Sequence, residues 1–161
     1  MPSERRYRLR KDELKNIVQE ASRRFGEAIA RVIGKDVEIR EMADGTELII
    51  SGGKTIFFRK DGALFPTLRI VDLIEIKRVV VDMGAVPYIA KGADVMSPGI
   101  ASADPDIKTG DIVAIVDERH GKTIAMGLAL VDGVGMKAPK GKAVKNIHHV
   151  GDRIWRALEK S

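Results

Sequence analysis

The sequence predicts an α+β protein in two parts, a small N-terminal α/β domain over residues 1–75 and a β-rich C-terminal domain over residues 76–161. Three observations predict it. Between Asp12 and Ile33, Leu14, Ile17, Val18, Ala21, Phe25, Ala28, Ile29 and Val32 recur at three- and four-residue steps, the period of an amphipathic helix. Short runs of β-formers punctuated by glycine turns follow that helix. Beyond about residue 75 the apolar runs are brief and separated by turn residues, the pattern of a domain built mainly from strands.

Taken in order, Asp12 reads as the N-cap of the helix, Gly34 as its stop, and Gly26 as a point of kinking or division. Val37 to Met42, Thr46 to Ser51 and Thr55 to Lys60 read as strands, with Asp44-Gly45 and Gly52-Gly53 as hairpin turns and Asp61-Gly62 closing the set. Pro66 sits where a helix can begin. Leu68 to Ile74 reads as a short helix, with a strand the alternative that its β-branched residues allow. Val79 to Val81 is a strand nucleus, and Asp82-Met83-Gly84 opens a helix that ends at Lys91-Gly92, with Pro87 in its first turn. Ile112 to Val116, Ile124 to Val131 and Ala143 to Val150 complete the strands.

Composition narrows the function. The chain has 161 residues, 44% of them hydrophobic, enough for a core, and 32% charged. One Gln, two Asn and no Cys fit a heat-adapted cytosol, and the lack of Cys excludes disulfides, thiolate metal sites and cysteine nucleophiles. No apolar run reaches the roughly eighteen residues of a membrane span, and the basic N-terminus is not followed by the apolar stretch of a signal peptide. The expected location is the cytoplasm. A net charge of +5 favours a nucleic-acid partner without identifying one.

The segment Lys91-Gly92-Ala93-Asp94-Val95-Met96-Ser97-Pro98-Gly99-Ile100 is the main site candidate. Gly92 can end a helix in a left-handed conformation, and Pro98-Gly99 turns the chain before a strand. Without side-chain bulk at these corners, a nucleic-acid backbone can approach main-chain N–H groups while Lys91 supplies a charge for phosphate. The same glycines also serve plain turn geometry, and the residues alone do not separate the two uses.

The run from Val81 to Ile100, VDMGAVPYIAKGADVMSPGI, resembles the signature of PUA domains, shared by pseudouridine synthases and archaeosine transglycosylases. Lys108 to Val113, Ala125 to Gly127 and Ala143 to Asp152 extend the likeness in the same order, so that it covers roughly residues 76 to 156. The whole chain, with Phe65 to Arg69 and Ile154-Trp155, is similar to archaeal relatives of the malignant T-cell-amplified sequence family. That resemblance implies a C-terminal PUA-type β-barrel-like domain, RNA binding in translation, contact with tRNA or small-subunit ribosomal RNA, and a density-regulated-type protein partner. Ser97 departs from the eukaryotic members, which carry Cys there.

The resemblance implies RNA-facing positions at Lys91, Gly92, Ala93, Asp94, Val95, Pro98, Gly99 and Ile100. Val95 and Ile100 read equally as core. Asp94 reads as capping the local turn, with a hydrogen bond to ribose or base as the alternative, because a carboxylate repels phosphate. Lys137, Lys140, Lys142 and Lys145, with no acidic residue among them, extend the expected RNA surface through Lys140, Lys142 and Lys145. The N-terminal arginines read as a frayed, solvated terminus.

Other signals point away from catalysis. His148 and His149 are adjacent and face opposite sides of a strand, so they suit structural or RNA-stacking roles, and no metal set is expected. Asp104, Asp106 and Asp111 lack the spacing of a calcium loop, and Gly53-Lys54-Thr55 lacks the first glycine of a phosphate loop. The seven aromatics are scattered and expected mostly in the core. The expectation is a non-catalytic RNA-binding protein with no cofactor; the alternative is a subunit or targeting module of an RNA-modification enzyme.

Overall fold

A computed structural model describes residues 5–160. The chain divides into two compact units, Met1–Glu75 with Ala157–Ser161, and Ile76–Arg156. The α+β class is borne out, with the first unit mixed and the second a nearly closed, barrel-like sheet.

The first unit is a five-stranded antiparallel meander, β1 (Arg6–Arg8), β2 (Val37–Glu41), β3 (Glu47–Ser51), β4 (Lys54–Lys60) and β5 (Ala63–Pro66), with helix α1 (Lys11–Phe25) between the first two strands. Two expectations for the helix are corrected. Its N-cap is Arg10, not Asp12, because the Glu13 carboxylate accepts from the Arg10 backbone N–H at 3.2 Å. It stops at Gly26, the expected point of division, and not at Gly34: the φ of +93° at Gly26 breaks the α geometry, and the chain continues as a 3₁₀ turn over Glu27–Arg31. The greasy stripe still does its work: Ile17, Ala21, Phe25 and Ile29 are buried, and Phe25 stacks on Phe57 at 6.0 Å.

Gly52-Gly53 and Asp61-Gly62 both have positive φ at two consecutive residues, the tight hairpin geometry that suits strand twist. The pairings Ser51 with Lys54 and Lys60 with Ala63 follow from it. Pro66 ends β5 and starts no helix, and Leu68 to Ile74 forms a turn over residues 68–70 followed by one 3₁₀ step over Val71–Leu73. The arginine run is also corrected. Arg6, Tyr7 and Arg8 form an ordered strand against β2, with Arg6 to Glu38 at 2.7 Å and Arg8 to Asp36 at 2.8 Å.

The second unit contains β6 (Lys77–Val81), α2 (Val86–Ile89), β7 (Val95–Met96), β8 (Ile100–Ala103), β9 (Ile112–Asp117), β10 (Thr123–Ala129) and β11 (Lys142–His149). Helix α3 (Arg153–Glu159) follows β11, and from Ala157 onward its residues group with the first unit. The strand order is β7-β11-β10-β9-β6-β8, with β6 and β9 parallel and the other pairs antiparallel. The two end strands, β7 and β8, are consecutive in the chain and joined by Ser97–Gly99 alone, so this three-residue turn bends the sheet back on itself. Val79, Val81, Ile115, Ala125 and Val144 line the core so enclosed. Pro87 does lie in the first turn of α2.

Candidate nucleic-acid interface

The segment from Ile89 to Asp94 lies against β11, and polar side chains stitch the two together. The Asn146 side-chain amide donates to the carbonyls of Ile89 at 3.1 Å and Ala93 at 3.0 Å. Asp94 accepts from the Asn146 backbone N–H at 2.9 Å and forms an ion pair with Lys142 at 3.3 Å. At the far end, a Cβ placed on Gly92, where φ is +96°, would meet His149 Nε2 at 3.2 Å. The seam therefore runs from Lys142 to His149 along one strand. Asn146 Oδ1 is the one buried side-chain oxygen or nitrogen without a partner among the described residues, and the two amide donations hold it in that orientation.

This geometry revises the reading of several loop residues. The N–H groups of Lys91, Gly92 and Ala93 already donate, to Tyr88, Ile89 and Tyr88 respectively, at 3.0 to 3.1 Å. Those amides are not open to a ligand while the loop keeps this form. Asp94 does not cap its own turn; it clamps β11 through Asn146 and Lys142. Val95 and Ile100 are core side chains, 1% and 5% exposed, and shape the loop from beneath. Pro98 is exposed and Gly99 half-buried at the turn that joins β7 to β8. Ser97 is buried, with its N–H on the Gly141 carbonyl at 2.8 Å.

Lys91, Lys140 and Lys145 are exposed and form no ion pair with any described residue, whereas Lys142 is held by Asp94. A cleft of about 560 Å³ opens beside the seam, lined by Asp82, Ala85, Tyr88, Met96, Pro98 and Lys142 among others. Its size suits a small organic ring system, and its walls are mainly apolar with a few polar groups at the rim. Tyr88 was expected in the core with most aromatics. It is 69% exposed, because Ile89 takes the inward position on the four-residue α2. Among the described residues no group of His, Cys, Asp or Glu is placed to hold a metal ion.

The two histidines differ as their adjacency predicts. His148 is fully buried, with Nδ1 2.9 Å from an Asp152 oxygen, while His149 is half-buried beside Gly92. Burial opposes ionisation of Asp152, yet hydrogen bonds and charge from His148 and backbone N–H groups of Trp155 and His149 outweigh it. Its carboxyl is held below the ordinary value.

Comparison with known proteins follows the same lines. A model of the PUA domain matches residues 77–151. An uncharacterised protein of Methanocaldococcus jannaschii is 44% identical over 160 residues, 96% of this chain and 98% of its own. Translation machinery-associated protein 20 of Saccharomyces cerevisiae is 31% identical over 128 residues, 74% of this chain and 71% of that protein. The malignant T-cell-amplified sequence 1 homolog of Drosophila melanogaster is 32% identical over 127 residues, with 74% and 70% covered. The chain belongs to this family. The resemblance carried by Val81 to Ile100 is thus borne out, and the residues matched by the PUA model fall within the second unit. A crystallised hypothetical protein of Pyrococcus horikoshii OT3 has a similar fold, with a TM-score of 0.82 at 40% identity over 96% of this chain and 99% of that one.

Sequence reasoning missed the roles of Asn146 and Tyr88. Asn146 is one of only two asparagines, a residue type depleted elsewhere in the chain, and that rarity on a strand is the signal it offered.

Proposed function

We propose that this chain is a non-catalytic RNA-binding protein of the translation apparatus, holding tRNA, such as its acceptor end, or small-subunit ribosomal RNA on the PUA domain. The observation that carries this reading is the apolar cleft with Tyr88 open on its wall, next to the unpaired ammonium of Lys91 three residues further along the loop. An aromatic face accepts any base, at about 1–3 kcal/mol per stacked base, and an unpaired lysine accepts a phosphate. Lys140 and Lys145 extend the positive charge along β11 and the loop before it. The names of the relatives favour translation over other RNA work, and the same reading puts the chain in the cytoplasm with a density-regulated-type protein as its partner.

The test is direct binding to purified tRNA and to small ribosomal subunits across a salt series. Lys91→Glu should weaken binding about tenfold and flatten the salt dependence by about one unit, with thermal unfolding unchanged. Affinity that is indifferent both to salt and to this charge reversal would overturn the reading. A pull-down with and without nuclease separates a protein partner from one tethered by RNA.

A further inference from the structure

One ring nitrogen of His149 has its hydrogen-bonding role set by the protein and no protein group to use it on. Nδ1 lies 2.9 Å from the Val150 carbonyl oxygen. A carbonyl oxygen can only accept, so Nδ1 carries the proton of the neutral imidazole and Nε2 is left as an acceptor. Nε2 has no hydrogen bond to any described residue. It stands beside exposed Gly92, close enough that a Cβ there would come within 3.2 Å, and glycine's bare backbone leaves it uncovered. The neighbouring residue, Lys91, is an exposed cation without an ion-pair partner among the described residues.

We propose that His149 Nε2 accepts a hydrogen bond from a ribose 2′-hydroxyl of an RNA strand lying along Gly92, and that this contact distinguishes ribose from deoxyribose. The proposal rests on the RNA-binding reading of the loop. A neutral Nε2 has no proton to offer a phosphate oxygen and requires a donor. A nucleic-acid strand presents two kinds, base N–H groups and the sugar hydroxyl. Only the hydroxyl accompanies every phosphate whatever the base, so it is the donor that a strand anchored by its phosphate at Lys91 brings within reach of the adjacent residue. The amides of Lys91, Gly92 and Ala93 are engaged within the loop, and the imidazole is the side chain beside Gly92 with an acceptor to offer the sugar.

The experiment uses the full chain and two probes, an RNA stem-loop with a single-stranded 3′ tail and the same molecule with deoxyribose throughout the tail. In mildly alkaline buffer, where imidazoles are neutral, the unaltered protein should prefer the ribose tail roughly fivefold, the worth of one neutral hydrogen bond. His149→Phe keeps a ring but no acceptor, and should lower affinity for the ribose tail to that for the deoxyribose tail while leaving the latter unchanged. His149→Gln restores an acceptor and should recover part of the preference, and it serves as the second variant if the phenylalanine form does not fold. Equal binding of the two probes by the unaltered protein, or a preference that survives His149→Phe, overturns the role of His149 and leaves RNA binding standing. Failure to bind either probe overturns the RNA-binding reading and the inference with it.

Discussion

The Asp152 carboxylate accepts from the backbone N–H groups of His149 and Trp155, at 2.9 and 2.7 Å, and pairs with the buried ring of His148. One side chain thus fixes the end of β11 and the start of α3, although an aspartate after Gly151 in the turn between them gives little hint of that burden. Asp152→Ala should cost roughly 1–3 kcal/mol, because it strips partners from buried donors, and urea unfolding measures the loss. The pH dependence has a definite sign. The folded carboxyl is held below the ordinary 3.8, so its contribution is complete above that value and disappears as pH falls through the lower, folded one. The stability gap between the unaltered protein and Asp152→Ala should therefore narrow as pH falls below about 3.8. A gap that widens in acid would contradict this account.

Strand β10 shows how closely the elements of the second unit approach. A Cβ on Gly127 would fall 2.5 Å from Val144 Cγ1 and 2.6 Å from the Lys145 carbonyl oxygen, so β10 and β11 meet where only a hydrogen fits. Gly127→Ala should destabilise the unit by roughly 1–3 kcal/mol of overpacking and lower its melting temperature. Because the displaced strand is the one that carries Asn146 and His149, affinity for tRNA should fall as well; differential scanning calorimetry and a binding isotherm on the same sample check both. Legibility also differs by element. The long helix and the hairpins of the first unit are readable because the apolar period and the paired turn residues are local signals. Strands β1, β5, β7 and β8 are not, for two to four residues leave no room for alternation to show. In β1 the flanking arginines hide Tyr7 as the inward residue, and their charges are answered by Asp36, Glu38 and Glu41 on or beside a strand some thirty residues away.

For the molecule as a whole, the class, the barrel-like second unit and the position of the glycine loop are legible in the sequence, whereas the loop's supports are not. The bonds that hold it join residues 52, 53 and 57 positions apart, beyond any local pattern. Asn146→Ala removes two of them and should speed hydrogen exchange at the amides of Lys91 to Asp94 without comparable change in β9, at a cost of roughly 1–2 kcal/mol; uniform exchange across both regions would show that the loop is held by something else. The same distance has a consequence in time. Synthesis proceeds from the N-terminus, so the glycine loop leaves the ribosome about fifty residues before the strand that organises it. Until residues 142–149 emerge and pair, the loop has neither its clamp nor His149 beside it. On the proposed reading, a chain made only as far as the loop is blind to RNA, and competence to bind arrives once β11 has paired with β7.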